Sequence, residues 1–565
     1  MPSPRALLVV LIAAASLMPA EDSSGASPGP AATAAKRRAV ATPRFVRTIA
    51  TGETGWFSSP GLVDLNGDRR LEIVAPFYST FVYDSHGRLL GKGTATAGRV
   101  YAPGVVADLD RDRMPEVVVG GSEGTVAAYV LAGGRLQLKP GWPASTCSGG
   151  QCPETRGMAA ADLDGDGRVE VVATTTNTSP TGSQVFVFDA SGALYRPAGA
   201  PATAWPRFNT LFGPGNDGDF NGVGNHGYGA YGENVGIGNL DDDPQLEIVV
   251  TFDNHQINVF NHDGTSVLAS PWYTSRASGH VGARLGWGQL IRWLSPRVEA
   301  NHYHRHVGPW PDVRSTPWLQ WTASPPSIAD LDRDRRNEVI GLPNVELNEP
   351  YETQAYTFMA LDGAQRGGLR SARRHQGFRK PPLSRKPAVR REGDWYPPSG
   401  IPAPTIVDIR GDRRPEIVAP VPDGLVYAVG PGGKRLWRFD YAHGAAKTFA
   451  SEVVAADLNR DRIPELVFGT YGPDPRSGRL VVLSASGKRL HDVRLRHQGS
   501  DENGIGVAAA PSIGDLDGDG RLEIVLATFD HGIDVFRVPR SGTNGLPWPT
   551  GRGNLLRNGA GPAAG

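Results

Sequence analysis

Carboxylates at alternate positions, closed by a glutamate, recur eight times in this chain. The clearest copies run from Asp162 to Glu170 and from Asp515 to Glu523; the others begin at Asp64, Asp108, Asn239, Asp330, Asp408 and Asp457. Positions 1, 3 and 5 supply side-chain oxygens, position 7 a backbone carbonyl and position 9 a carboxylate read as bidentate. Six to eight oxygens around one point is the coordination that calcium requires, at roughly 2.3–2.6 Å.

The sets expected around each ion are Asp64, Asn66, Asp68, Arg70 and Glu72; Asp108, Asp110, Asp112, Met114 and Glu116; and Asp162, Asp164, Asp166, Arg168 and Glu170. Next come Asn239, Asp241, Asp243, Gln245 and Glu247; Asp330, Asp332, Asp334, Arg336 and Glu338; and Asp408, Asp412, Arg414 and Glu416. The last two are Asp457, Asn459, Asp461, Ile463 and Glu465, and Asp515, Asp517, Asp519, Arg521 and Glu523. The residue at position 7 enters each set through its main-chain oxygen only. Arg410 stands at position 3 of the sixth loop and offers no oxygen, which makes that loop the weakest site. So many carboxylates in one short loop repel one another and raise each other's pKa unless a cation intervenes. The competing reading is a set of turns whose Asp side chains satisfy the backbone, with neighbours such as Arg111, Arg113, Arg333 and Arg335 neutralising them. An EF-hand is excluded, because its glutamate stands at position 12 and its flanks are helices.

The flanks here are short apolar runs rich in Val and Ile, punctuated by Gly and Pro, and these predict buried strands. Beyond each loop come two more strand-like runs joined by an Asp-Gly or Ser-Gly turn, a hairpin signal. Four strands per unit, repeated along the chain, predict an all-β fold: a single β-propeller of eight four-stranded blades, with seven as the alternative. Ring closure needs the termini to share a blade. Arg44 to Ala50 is the segment expected to add the missing strand beside Gly532 to Val538.

These loops resemble those of the FG-GAP/VCBS repeat family, the calcium-loop propellers of integrin α-chains and many secreted bacterial proteins. The resemblance covers roughly Phe45 to the C-terminus. It implies several structural calcium ions (Ca2+) and a role in adhesion or ligand binding. The Phe-Gly and Gly-Ala-Pro element of that family is reduced here to forms around Ala102 and Ala510. The tail from Pro547 to Gly559 is similar to the closing segment of many bacterial propellers, and Trp548 is expected to pack on the last blade.

Residues 1–20 carry Arg5 and an apolar stretch from Ala6 to Leu17, the pattern of a secretory signal peptide, too short to span a bilayer. Residues 21–43 read as a disordered linker, and residues 44–565 as the propeller. A secreted location follows, and with it a disulfide between Cys147 and Cys152, the only two cysteines. The 58 basic and 58 acidic residues balance, so no global field draws the chain to nucleic acid. No transmembrane segment is expected, and the chain is read as a monomer.

Unequal loop spacing places insertions near 196–234, 265–323 and 364–400. The first contains a cruder acidic run from Asp217 to Gly222. The second concentrates Trp287, Trp293 and Trp310 with His302, His304 and His306; these are candidate ligand contacts, the rings for stacking on sugars and the imidazoles for a metal or base. Packing between blades is the plainer reading of the tryptophans. The third insertion, from Arg366 to Arg391, holds ten Lys or Arg and no acid, which reads as a solvated loop able to attract a polyanion. No nucleophile elbow, HExxH or triad order is present, so the expected role is a non-catalytic binding or adhesion module for a glycan or protein. The alternative is a lyase or hydrolase of acidic polysaccharides.

Overall fold

A computed structural model describes residues 38–561 apart from 180, 201–204, 208–229, 242, 253–256, 269–286, 288–317, 322–323, 347–354, 364–371, 379–383, 385–401, 446, 499–503 and 544. Ala39–Gly565 forms one compact unit. The expected signal peptide and most of the linker lie outside the described residues.

The fold is all-β, an eight-bladed β-propeller. Each acidic loop joins the innermost strand of a blade to the next strand out, and blades 1–8 are numbered here by the order of these loops. Blade 1 runs Gly61–Val63, Glu72–Pro76, Thr80–Tyr83, Leu89–Gly93, each strand antiparallel to its neighbour. Blade 6 repeats this with Thr405–Val407, Glu416–Val421, Leu425–Val429 and Arg435–Asp440. In blades 3 and 4 the fourth position is marked by isolated bridges, Phe188 to Leu194 and Phe260 to Ser266. Beside blade 5, Trp318–Gln320 of the second insertion joins Asn344–Glu346 and Ala355–Tyr356, which lie between that blade's second and third strands, in a small sheet.

The strands differ in composition for a physical reason. Second strands such as Glu416–Val421 and Glu465–Gly472 are buried along their whole length, because neighbouring blades stack on both of their faces. This explains their continuous apolar runs, where a half-exposed strand would alternate. Outer strands such as Arg435–Asp440 are mostly exposed or half-buried and carry the charges.

Arg44–Ile49 pairs antiparallel with Gly532–Arg537, from Arg44 opposite Arg537 to Ile49 opposite Ile533. The N-terminal strand therefore completes blade 8 and closes the ring. The Thr48 hydroxyl donates to Asp534 at 2.6 Å, and Phe45 packs edge-on against Phe536.

The C-terminal tail differs from expectation. Trp548 is fully buried, and its main chain pairs with Ala455 in the innermost strand of blade 7, the penultimate blade. From there the tail visits the innermost strands in turn. Pro549 O accepts from Ile513 N in blade 8, Leu555 O from Val106 N in blade 2, and Leu556 O from Ala160 N in blade 3. Asn558 O and Gly559 O accept from Ile237 N and Ile328 N in blades 4 and 5. The Arg557 guanidinium donates to the carbonyls of Ser59, Pro60, Gly104 and Gly551 and to the Thr550 hydroxyl. Arg552 spans blades 4 and 5 through Val235 O and Pro326 O. A segment of about a dozen residues thus circles the axis and ties successive blades together; the Arg557 nitrogens are all hydrogen-bonded there, and Glu452 and Glu233 supply negative charge to both buried arginines.

Candidate metal loops

In every loop the position 9 glutamate is the first residue of the second strand, at Glu72, Glu116, Glu170, Glu247, Glu338, Glu416, Glu465 and Glu523. All eight are buried. In each, Oε2 accepts the backbone N–H of position 2: Leu65, Leu109, Leu163, Leu240, Leu331, Ile409, Leu458 and Leu516, at 2.7–3.0 Å. One oxygen therefore accepts from the backbone. An oxygen that accepts one N–H keeps a second lone pair, so this bond leaves both oxygens able to meet a cation.

Positions 1, 3 and 5 fold the loop around themselves. In blade 1, Asp64 accepts from the N–H groups of Gly67 and Arg69, Asn66 Oδ1 from Asp68 N, and Asp68 Oδ1 from Arg70 N. These are Asx turns, the chemistry of the competing reading, and they also aim the remaining oxygens inward. In seven of the eight loops positions 4 and 6 both take left-handed backbone, whereas loop 4 has Pro244 at position 6. Gly165 and Gly167 meet this without strain, whereas Arg111, Arg113, Arg333, Arg335, Arg460 and Arg462 adopt φ of +65° to +72° there.

Adjacent loops are coupled. The N–H at position 8 donates to the position 2 carbonyl of the preceding loop: Leu71 to Leu516, Val169 to Leu109, Leu246 to Leu163. Arg111 reaches from loop 2 to the Gly167 carbonyl of loop 3 at 2.5 Å. A Cβ at Gly167 would push that guanidinium aside, so glycine here both meets the left-handed backbone without strain and leaves room for Arg111.

The charge environments then diverge. In loop 3, oxygens of Asp162, Asp164 and Glu170 lie within 4.8 Å of one another. Burial and the nearby Asp164, Asp166 and Asp162 push Glu170 up to about 8, and Tyr195 donates its hydroxyl to Asp164 at 2.8 Å. In loop 4, Asp241, Asp243 and Glu247 gather in the same way, and burial, then the two aspartates, pushes Glu247 up to about 8. Loop 7 holds Glu465 at about 8 by burial and by Asp461 and Asp457, and loop 1 holds Glu72 at about 7. In both, the position 3 amide donates to the glutamate Oε1, Asn66 at 2.9 Å and Asn459 at 3.0 Å.

Three loops contain a side-chain cation instead. Lys139, just beyond the outer strand Arg135–Leu138, places Nζ 2.7 Å from both Asp110 and Glu116 in loop 2. Arg410 of loop 6 contacts Glu416 Oε1 at 2.6 Å and Asp412 at 3.1 Å. Arg537, ending the third strand of blade 8, contacts Glu523 at 2.8 Å, Asp519 at 3.3 Å and Asp517. In blade 5, His375 Nδ1 lies 2.7 Å from Asp362 and 3.7 Å from Glu338, beside the separate trio Asp330, Asp332 and Asp334. His375 belongs to the basic stretch expected to be a solvated loop. Part of that stretch is instead built into the blade: Arg373–Arg374 is the outer strand, and Ala372, Arg374, His375 and Phe378 are buried. Sequence reasoning missed Lys139, His375 and Arg537 as partners of the loops, because nothing in the repeat itself points to them.

Trp287 and Trp321 are fully buried among core residues of blades 4 to 7, so Trp287 is a packing residue with no face for a sugar. Trp293, His302, His304, His306, Trp310 and the run from Asp217 to Gly222 lie outside the described residues. Cys147 and Cys152 are disulfide-bonded. At the start of the innermost strands, the end away from the acidic loops, Arg99 lies over Trp56 at 4.3 Å and Arg156 over Tyr101 at 4.2 Å, with Phe57 packed on Tyr101. Arg99 is paired with Glu154 at 2.5 Å.

Residues 108–173, spanning loops 2 and 3, match the family model described as an FG-GAP-like repeat. With the eight-bladed ring, this is consistent with an FG-GAP repeat propeller protein. No curated protein matches the chain significantly in sequence. Among solved structures, BBS1N in complex with ARL6DN is similar at 10% identity and a TM-score of 0.39, covering 90% of this chain and 99% of that one. Sqt1 of Saccharomyces cerevisiae is similar at 10% identity and 0.45, covering 88% and 99%, and the Dos1 propeller at 10% and 0.33, covering 85% and 77%. No described helix is long and apolar enough to cross a membrane.

Proposed function

We propose that this chain is a secreted, calcium-stabilised propeller that acts as a non-catalytic binding module for a glycan or protein ligand. The observation that carries the calcium reading is loop 3. It sets Asp162, Asp164 and Glu170 within one ion's reach, with the glutamate buried at the head of an apolar strand. Among the described residues, no Lys, Arg or His forms an ion pair with these three side chains. A divalent ion held by Asp162, Asp164, Asp166, Glu170 and the Arg168 carbonyl relieves that repulsion. It stabilises the folded state by mass action.

Because successive loops are joined by backbone hydrogen bonds, ordering one loop supports the next. The ion's role is accordingly structural, and ligand contact is assigned to surfaces away from the cages. The half-buried Trp56, Arg99 and Arg156 at the opposite end, packed on the buried Tyr101, support such a surface, since aromatic and arginine side chains dominate binding hot spots. Secretion rests on the N-terminal apolar stretch and fits both the disulfide and the weak calcium affinities that extracellular modules tolerate.

The test has two arms. Titration of metal-free protein with calcium should show saturable binding and a raised melting temperature that chelator reverses. A glycan and protein array should return a ligand whose binding falls in the Arg99→Ala variant. No calcium binding would end the first part of the reading; release of new reducing ends or unsaturated uronates from a polysaccharide panel would end the non-catalytic part.

A further inference from the structure

Loops 2, 6 and 8 share the acidic pattern of the others, yet each already contains a cation of the chain's own. We infer that in these three blades Lys139, Arg410 and Arg537 occupy the place of the calcium ion, so that the ring carries metal-dependent and metal-independent blades side by side. The inference rests on the calcium reading for the remaining loops.

The geometry is specific. Oε1 of the position 9 glutamate is the oxygen that the position 2 N–H does not engage. In all three blades it is taken, by Lys139 Nζ at 2.7 Å, Arg410 Nε at 2.6 Å and Arg537 Nε at 2.8 Å. A second carboxylate of the same loop shares each cation: Asp110, Asp412, and Asp517 with Asp519. The three cations arrive from different places: beyond the outer strand, from position 3 of the loop itself, and from the third strand. They converge on the same point in the loop. Lys139 is itself buried, and a buried ammonium persists only where it is paired.

Loop 8 makes the argument sharpest. Its sequence from Asp515 to Glu523 is as complete a calcium pattern as that of loop 3, and Arg537 stands among its carboxylates nonetheless. An ammonium or guanidinium neutralises one charge permanently, at any calcium concentration. Such blades stay folded when calcium is scarce and serve as fixed points from which calcium-loaded neighbours can order.

Native mass spectrometry of the full chain, with calcium added to metal-free protein, tests this by counting bound ions. The wild type is expected to bind a fixed number. Lys139→Gln, Arg410→Asn and Arg537→Gln each free an oxygen set and are each expected to bind one ion more, and Lys139→Arg none more. Arg410 is partly exposed, so its variant should fold even where loss of Lys139 does not. An unchanged count in Arg410→Asn and Arg537→Gln, with calcium bound to the wild type, overturns the inference while the calcium reading stands. No ion on the wild type but one on each variant leaves the three side chains as occupants of an ion's place but overturns the mixed ring, and with it the calcium reading for the other loops. No ion on any protein removes both.

Discussion

His531 offers a test of ring closure that needs no ligand. It is buried in the turn between the second and third strands of blade 8. Its Nδ1 lies 2.7 Å from Asp530 and its Nε2 3.1 Å from Asp534, the same aspartate that receives the Thr48 hydroxyl of the closing strand. Burial opposes the charge on the imidazole, but the hydrogen bonds to the two carboxylates outweigh it and push its pKa up to about 9 from an ordinary 6.5. A folded pKa above the unfolded value means that protonation stabilises the fold. The contribution is fully present below about pH 6.5 and is lost as pH rises through about 9. At 1.36 kcal/mol per pH unit, the full effect is about 3 kcal/mol. Urea unfolding of the wild type and His531→Gln, followed by tryptophan fluorescence at intervals from pH 6 to pH 10, should show a gap of about 3 kcal/mol at pH 6. That gap should shrink by most of its size above pH 9. A gap that is constant across this range, or that widens with pH, would refute a charged histidine clamped between two carboxylates.

Deleting residues through Ile49 removes the outer strand of blade 8 and uncovers Phe536, so calorimetry should show a melting temperature lower by several degrees; no change would mean that the ring does not depend on this closure. Trp548→Ala empties a fully buried site on blade 7 and should cost about 3–5 kcal/mol in chemical denaturation. Arg335 is exposed and holds φ of +72°, a conformation costing an L-residue about 1–2 kcal/mol; Arg335→Gly should therefore raise stability by about 1 kcal/mol in metal-free protein, after allowing for glycine's entropy. Protons compete with calcium at Glu170 and Glu465, both pushed up to about 8 by burial and by neighbouring aspartates. Calcium binding at pH 7 should therefore release protons, seen as a buffer-dependent enthalpy in calorimetry, and calcium should raise the melting temperature more at pH 8.5 than at pH 6.

Much of the fold is local and was legible in the residues. Alternating carboxylates between apolar runs set one strand–loop–strand unit, because the left-handed turn, the Asx hydrogen bonds and the buried glutamate all act within nine residues. Repetition of that unit points to a propeller, and the need to leave no open sheet edge pointed to Arg44 to Ala50 as the closing strand. What the residues could not reveal depends on contacts distant along the chain. Lys139 and Arg537 enter their loops from 23 and 14 residues beyond the glutamates they meet, and nothing in their local sequence distinguishes them from solvated charges. The basic stretch around Arg373 reads as solvent-facing by composition, yet blade 5 needs an outer strand and draws it from there. Trp548 settles on blade 7 because the tail crosses the axis, where its carbonyls accept from the N–H groups of the innermost strands of other blades. Composition and periodicity thus determine the repeating unit; only the tertiary structure decides that eight of them close the ring and that Lys139 and Arg537 meet the carboxylates of their loops.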